Sequence, residues 1–261
     1  MNLIPQGAPG APGGMTLPGG TVDNPLAIGM SPWPPTVTVP LSMERMTSQW
    51  SLESNRAMAP VTVVAEVDAT RLFALQEAMR PRVEATTGTP LSLDPFLARA
   101  TIRALQAFPL MNATLTPQGF LVPRYVHLGV VREWPKGLAM PVIRNAERYG
   151  VADLAVELHR QRERARLGQL SSADMGSQTF VIVNNARWRH SLFGTPPIQS
   201  PNVGILAFEP VVRRPVVLDD DRIGVRPMMY ITLSADHRAV DGVEIMGFVG
   251  KVKGLLENVD L

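Results

Sequence analysis

The stretch "ITLSADHRAVDGVEIMGF", residues 231–248, decides the reading of this chain. An apolar run rich in strand-forming residues enters Asp236-His237-Arg238. Asp241-Gly242 follows, and a helical pattern begins at once. A histidine and two aspartates therefore occupy the connection between a strand and a helix. Such connections carry chemical groups because the scaffold fixes them while a substrate can still reach them. Imidazole titrates near neutrality, so His237 is suited to take a proton and return it at working pH. A thiol, with an ordinary pKa near ~8.5, becomes a thiolate beside such a base without help from a metal.

The other histidines have plainer surroundings. His127 opens a strand, His159 lies on the charged face of a helix, and His190 sits in the basic loop "ARWRH". None has a second histidine at metal-ligand spacing, so no metal site is expected.

Outward from 231–248, the chain reads as strands and helices in rough alternation. Strands are expected at "VTVVAEVD" (61–68), "HLGVVRE" (127–133), "LAMPVIRN" (138–145), "TFVIVN" (179–184), "VGILAFE" (203–209) and "MMYITLS" (228–234). Helices are expected over about 69–85, with Asp68 as N-cap and Pro81 as a kink, and over 93–108, with Asp94 as cap and Pro95 in the first turn. Two more are expected over 151–170 and 243–259; in the former, "RQRERAR" forms the solvated face. Several strands adjoin in sequence, which points to an α/β fold: a mixed sheet with helices packed on it. Residues 1–36, dominated by proline and glycine, read as a linker or arm, leaving 37–261 as the folded domain.

Composition narrows the function. The formal charge is only +2, from 25 basic and 23 acidic residues, and no long block of like charge occurs, so a nucleic-acid partner is not expected. There is no cysteine, which excludes disulfides, thiolate metal sites and a cysteine nucleophile. No run of about 18 apolar residues is present, so no membrane span is expected. The N-terminus lacks a secretory pattern, and the whole fits the cytoplasm or another reducing compartment such as the mitochondrial matrix.

"LSADHRAVDG" resembles the His-x-x-x-Asp-Gly signature of the catalytic (core) domain of the dihydrolipoyl acyltransferase component of 2-oxo acid dehydrogenase complexes, in the chloramphenicol acetyltransferase-like superfamily. The resemblance extends in order and spacing through "ERMTSQWSLESNRAMAPVTVVAEVDATRL", "FPLMNA", "GLAMPVIRNA", "ARLGQLSSADMGSQTFVIVN", "SPNVGILAF" and "RPVVLDDDRIGVRPMMYITLSADHR", covering about residues 40–261. It implies a chloramphenicol acetyltransferase-like mixed sheet flanked by helices, assembled as trimers or a larger cage. It implies an active site in a channel between two subunits, with coenzyme A entering from one end and a lipoyl arm from the other. On these residues, His237 would be the general base. Asp241, with Gly242, would fix the loop, through an arginine such as Arg45; a plain helix N-cap is the alternative for Asp241.

One position departs from the pattern. Where the family usually carries a serine or threonine hydroxyl for the oxyanion, this chain has Val183, which donates nothing. Ser234 and Asn184 are the candidate substitutes. The only lysines are Lys136, Lys251 and Lys253, none in a lipoyl-domain setting, so the lipoyl group is expected on another domain or chain. The expected activity is acyl transfer between a dihydrolipoyl group and coenzyme A, with lipoyl domains and other dehydrogenase-complex components as partners. Two alternatives stay open: a catalytically weakened scaffold subunit, and an acyltransferase with another acceptor.

Overall fold

The computed structural model describes residues 15–17, 20–22 and 55–261, apart from 136 and 219. The chain divides into two units, Met1–Met46 and Thr47–Leu261. In the first, β1 (Met15–Leu17) pairs antiparallel with β2 (Gly20–Val22), a hairpin that the sequence reading of residues 1–36 did not include. Arg45 and Lys136 lie outside the described residues.

The second unit is built on a seven-stranded sheet. Its strands are β3 (Pro60–Asp68), β6 (Leu128–Val130), β9 (Val142–Ile143), β10 (Phe180–Asn184), β11 (Gly204–Phe208), β12 (Val212–Val217) and β13 (Ile223–Asp236). β10 runs parallel to both β6 and β11, whereas β13 runs antiparallel to β11, β12 and β3, so the sheet is mixed. Among the described residues, four α-helices accompany it: α1 (Thr70–Thr87), α2 (Asp94–Ala107), α3 (Val151–Arg166) and α4 (Gly242–Asn258). Two small hairpins, β4 (Thr114–Thr116) with β5 (Gly119–Leu121) and β7 (Arg132–Trp134) with β8 (Gly137–Ala139), stand apart from it.

The pattern of burial explains the layers. β11, buried at every position, is an unbroken apolar run, as expected for a strand covered on both faces. β3 alternates instead: Val61, Val63, Ala65 and Val67 face the core, while Thr62, Val64 and Glu66 are exposed. The main core joins that face to the helices through Leu72, Phe96, Leu105, Phe180, Phe208 and Phe248. A small second cluster of Val181, Ile198 and Ile205 covers part of the opposite face.

α4 is held close. The Phe248 ring lies 5.6 Å from Phe180 and 6.3 Å from Phe108. A Cβ at Gly247 would come within 2.7 Å of the Phe108 ring, so only glycine permits this approach. Burying a side chain such as Phe248 stabilises the fold by roughly 1.5–3 kcal/mol, and here it fixes where the preceding turn emerges.

Several boundaries differ from expectation. β13 begins at Ile223, because its first half pairs with β12, a strand the sequence reading passed over. The run 127–133 splits: Leu128–Val130 stays in the sheet and Arg132–Trp134 turns away into its own hairpin. Asp94 is not the N-cap of α2. Leu93 holds that position, and the Asp94 carboxylate is drawn to side chains on other elements. Asp68 does satisfy the start of α1, from one position upstream of the N-cap, by accepting from Thr70 N at 2.8 Å. Pro81 lies within α1 without ending it.

Candidate active site

β13 ends at Asp236 and α4 begins at Gly242, so His237 lies on the connection between them. Asp236 is only 3% exposed, yet its carboxylate is well supplied with donors. It accepts from the amides of Ala59 and Arg238, each at 3.1 Å, and from Arg238 Nη2 at 2.6 Å. Its carbonyl accepts from Ala239 N and Val240 N, and His237 N donates to Ala59 O at 2.8 Å. The backbone on both sides of His237 is thus tied down, while the residue itself is exposed. Burial alone would push the Asp236 carboxyl up; the guanidinium of Arg238 and the two amides outweigh it and hold it below its ordinary value.

Asp241 is the N-cap of α4. Its Oδ1 accepts from Val243 N at 2.9 Å and Glu244 N at 3.1 Å, and Glu244 returns the favour to the Asp241 amide. This capping box satisfies amides that the first helical turn would leave unpaired. A Cβ at Gly242 would meet nothing within 4 Å, so the turn's geometry does not require glycine there. Arg45, named as the brace for Asp241, lies outside the described residues. The brace next to His237 is the Asp236–Arg238 pair. The sequence reading overlooked it, although an acid and an arginine flanking the histidine were its signal.

Ser234 and Asn184 fall in different places. Ser234 precedes Asp236 by two positions and so shares its face of β13. It is 3% exposed, with Oγ 3.3 Å from Thr62 Oγ1. Asn184 is at the far end of β10, in register with Phe208 and, through it, with Ile231. Six positions of β13 separate that level from His237, about 20 Å at ~3.3 Å per residue. Asn184 Nδ2 donates to the Asp94 carboxylate, which also accepts from Arg132 Nη1 at 3.1 Å and Arg162 Nη2 at 2.9 Å. Burial would raise the Asp94 pKa; the two guanidinium groups win, and it is lowered.

Val183 is in register with Ala207 and Thr232 and lies on the face of β10 opposite Asn184. It too is far from His237, about 17 Å along β13. Within one chain, His237 and the end of β10 occupy opposite ends of the sheet. His127, by contrast, is at the His237 end. Its Nδ1 accepts from Asn145 N at 3.1 Å, and its ring lies 4.3 Å from that of Tyr125. Among the described residues, no group of three or more His, Asp or Glu side chains is placed to hold a metal ion.

Residues 34–261 match the family described as 2-oxoacid dehydrogenases acyltransferase (catalytic domain). Over 216 residues the chain is 36% identical to the dihydrolipoyllysine-residue succinyltransferase component of the 2-oxoglutarate dehydrogenase complex of Rickettsia bellii, covering 83% of this chain and 54% of that protein. The chain thus spans about half the length of the curated relatives it matches. The fold is that of a solved dihydrolipoamide acetyltransferase from Azotobacter vinelandii, with a TM-score of 0.80, 28% identity, and 88% of this chain and 98% of that one covered. That structure belongs to an investigation of a serine, a histidine and an asparagine in the catalytic mechanism. The cubic core of a pyruvate dehydrogenase multienzyme complex is equally similar, with a TM-score of 0.80, 28% identity and coverage of 88% and 98%.

Proposed function

Since the chain belongs to the family of 2-oxoacid dehydrogenase acyltransferase catalytic domains, we propose that it moves an acyl group between a dihydrolipoyl arm and coenzyme A. The observation that carries the reading is His237: an exposed imidazole on a turn whose flanks are tied to Asp236 and Ala59. The imidazole takes the proton of the attacking thiol. The thiolate sulfur bonds to the thioester carbonyl carbon, and a tetrahedral oxyanion forms. As it collapses, the old carbon–sulfur bond breaks and the departing sulfur takes the proton back from His237. A general base of this kind contributes ~10²–10⁴ in rate.

The site is shared between copies in this reading. His237 and the β10 end stand about 17–20 Å apart in one chain, so a site that uses both requires His237 from one copy and Val183 from another. Trimers, joined into a larger core, provide such pairs. The lipoyl arm comes from another domain or chain, and the other components of a 2-oxo acid dehydrogenase complex are the partners. The names of the relatives support this.

Val183 favours a second reading, a scaffold subunit with weakened catalysis. Acyl transfer from a panel of acyl-coenzyme A donors to free dihydrolipoamide separates the two. The enzyme reading expects turnover that falls ~10²–10⁴ in His237→Ala with the oligomer intact. No turnover by an intact oligomer with any donor would leave the scaffold.

A further inference from the structure

A small cavity lies inside the protein, on the helix-covered side of the sheet. Leu97 of α2, Leu158 of α3, Val130 of β6 and Ile182 of β10 form its apolar walls. Its volume is about 10 Å³, room for one guest about the size of a water molecule. Asn184 borders it from the face of β10 opposite Val183. It is therefore separate from the face that Val183 presents.

The cavity is also lined by Arg132, which is buried and carries more donors than its neighbours can use. Its Nη1 donates to Asp94 at 3.1 Å. Its Nε and Nη2 are buried with no partner. Buried donors left unpaired are rare and call for a guest or a cause. The charges are unequal as well. Two guanidinium groups, those of Arg132 and the half-exposed Arg162, meet the single carboxylate of Asp94. Burial lowers the Arg132 pKa; Asp94 opposes that shift and Arg162 adds to it. The positive end of the α2 dipole is directed to the same place, since the helix starts at Asp94.

We propose that this cavity is a built-in site for one monatomic anion of the halide class, held by Arg132 Nε and Nη2. A halide accepts from both donors, supplies the missing negative charge, and has no proton of its own to place. A water fits less well. Its two protons need acceptors, and the polar neighbours are engaged: Asp94 accepts from Arg132, Arg162 and Asn184, and Asn184 Oδ1 accepts from Ala186 N at 2.9 Å. The remaining walls are apolar. Carboxylates, sulfate and phosphate exceed the volume. A bound halide would lock the Arg132–Asp94–Asn184 set and so join β7, α2 and β10 from within.

The test reads binding and stability of the intact protein. Crystals are prepared in bromide, and melting is compared in chloride, bromide and the bulky anion gluconate at matched ionic strength. The parent, Arg132→Gln, Val130→Ile and, as a surface-charge control, Arg166→Gln are measured. Val130→Ile fills the cavity and keeps every charge, so it serves even where Arg132→Gln fails to fold. An anomalous bromide peak is expected in the cavity, within hydrogen-bonding reach of Arg132. The parent and Arg166→Gln should melt about 2–4 °C higher in either halide than in gluconate, the shift for a ligand present at a few times its Kd. The difference should vanish in Val130→Ile. A cavity that holds only water, with no bromide peak, overturns the proposal. So does a peak whose halide-dependent melting shift is the same in Val130→Ile as in the parent, which marks an adventitious ion only.

Discussion

Asp236 and Arg238 form a two-pronged ion pair that straddles His237. Arg238 Nε lies 3.0 Å from one carboxylate oxygen and Nη2 lies 2.6 Å from the other. The carboxylate is buried and the guanidinium is half exposed, so the pair reaches from the sheet's interior to its rim. The residue between them has its backbone held without its ring being engaged by this pair. That arrangement presents an imidazole to a substrate at little entropic cost in the turn.

Asp236→Asn removes the charge-assisted bonds but keeps the shape. The expected loss of stability is about 1.5–3 kcal/mol, read by urea denaturation at pH 7. The folded-state pKa lies below the ordinary 3.8, so the contribution of the carboxylate is complete above 3.8 and is lost as pH falls through the lower folded value. The gap between parent and variant should therefore remain at pH 5 and close only in stronger acid. A gap that closes between pH 7 and pH 5 contradicts this account of the pair.

Asp241 separates capping from catalysis. Asp241→Ala should lose about 0.5–2 kcal/mol of stability, the worth of an N-cap. Asp241→Asn, which can still accept from the helix amides, should stay near the parent in thermal melts. If Asp241→Asn nonetheless lowers acyl transfer per folded molecule, the carboxylate acts on the site beyond its cap. If its activity is intact, capping is its whole contribution.

Asp94 is expected to be the costliest of the buried acids to remove. Asp94→Ala would leave Arg132 buried with its charge unpaired; its Nε and Nη2 already lack partners. The expected destabilisation is about 3–5 kcal/mol. Arg162, half exposed, contacts the same carboxylate, and its loss should cost under about 1 kcal/mol. Chemical denaturation of the two variants side by side checks the contrast.

Val183→Ser tests the missing hydroxyl. If this position faces the oxyanion, the new donor should raise turnover by up to ~10²–10³. The cost in stability is about 1–3 kcal/mol, because a branched apolar side chain leaves a half-buried strand. Rates must be taken per folded molecule. No gain, with a strong loss in Ser234→Ala, would place the donor at Ser234.

The sheet was legible in the sequence where its strands are buried or alternate cleanly. β3, β10 and β11 announce themselves by composition. β12 did not, because its exposed residues, Val212, Arg213 and Pro215 among them, carry no core pattern; only its pairing with the first half of β13 makes it a strand. In the same way Asp94 looked like a cap because local sequence cannot reveal Arg132 and Arg162, brought to it from β7 and α3. His237 was legible from its place between a strand and a helix. The role of Asp236 was not, since Ala59, one of its donors, comes from a segment 177 residues away. Nor could the sequence say that Val183 and His237 lie at opposite ends of one sheet, which follows only from the antiparallel register of β11 and β13.

Mixed oligomers probe that separation. His237→Ala removes the base, and Val183→Trp fills the other half of the shared site. Each variant alone should form intact oligomers with little acyl transfer. Co-assembled in equal amounts, they should recover about a quarter of the parent's rate, because in a symmetric ring of two-copy sites about one pairing in four joins two intact halves. Mixed oligomers as inactive as their parent variants would contradict a site built from two copies.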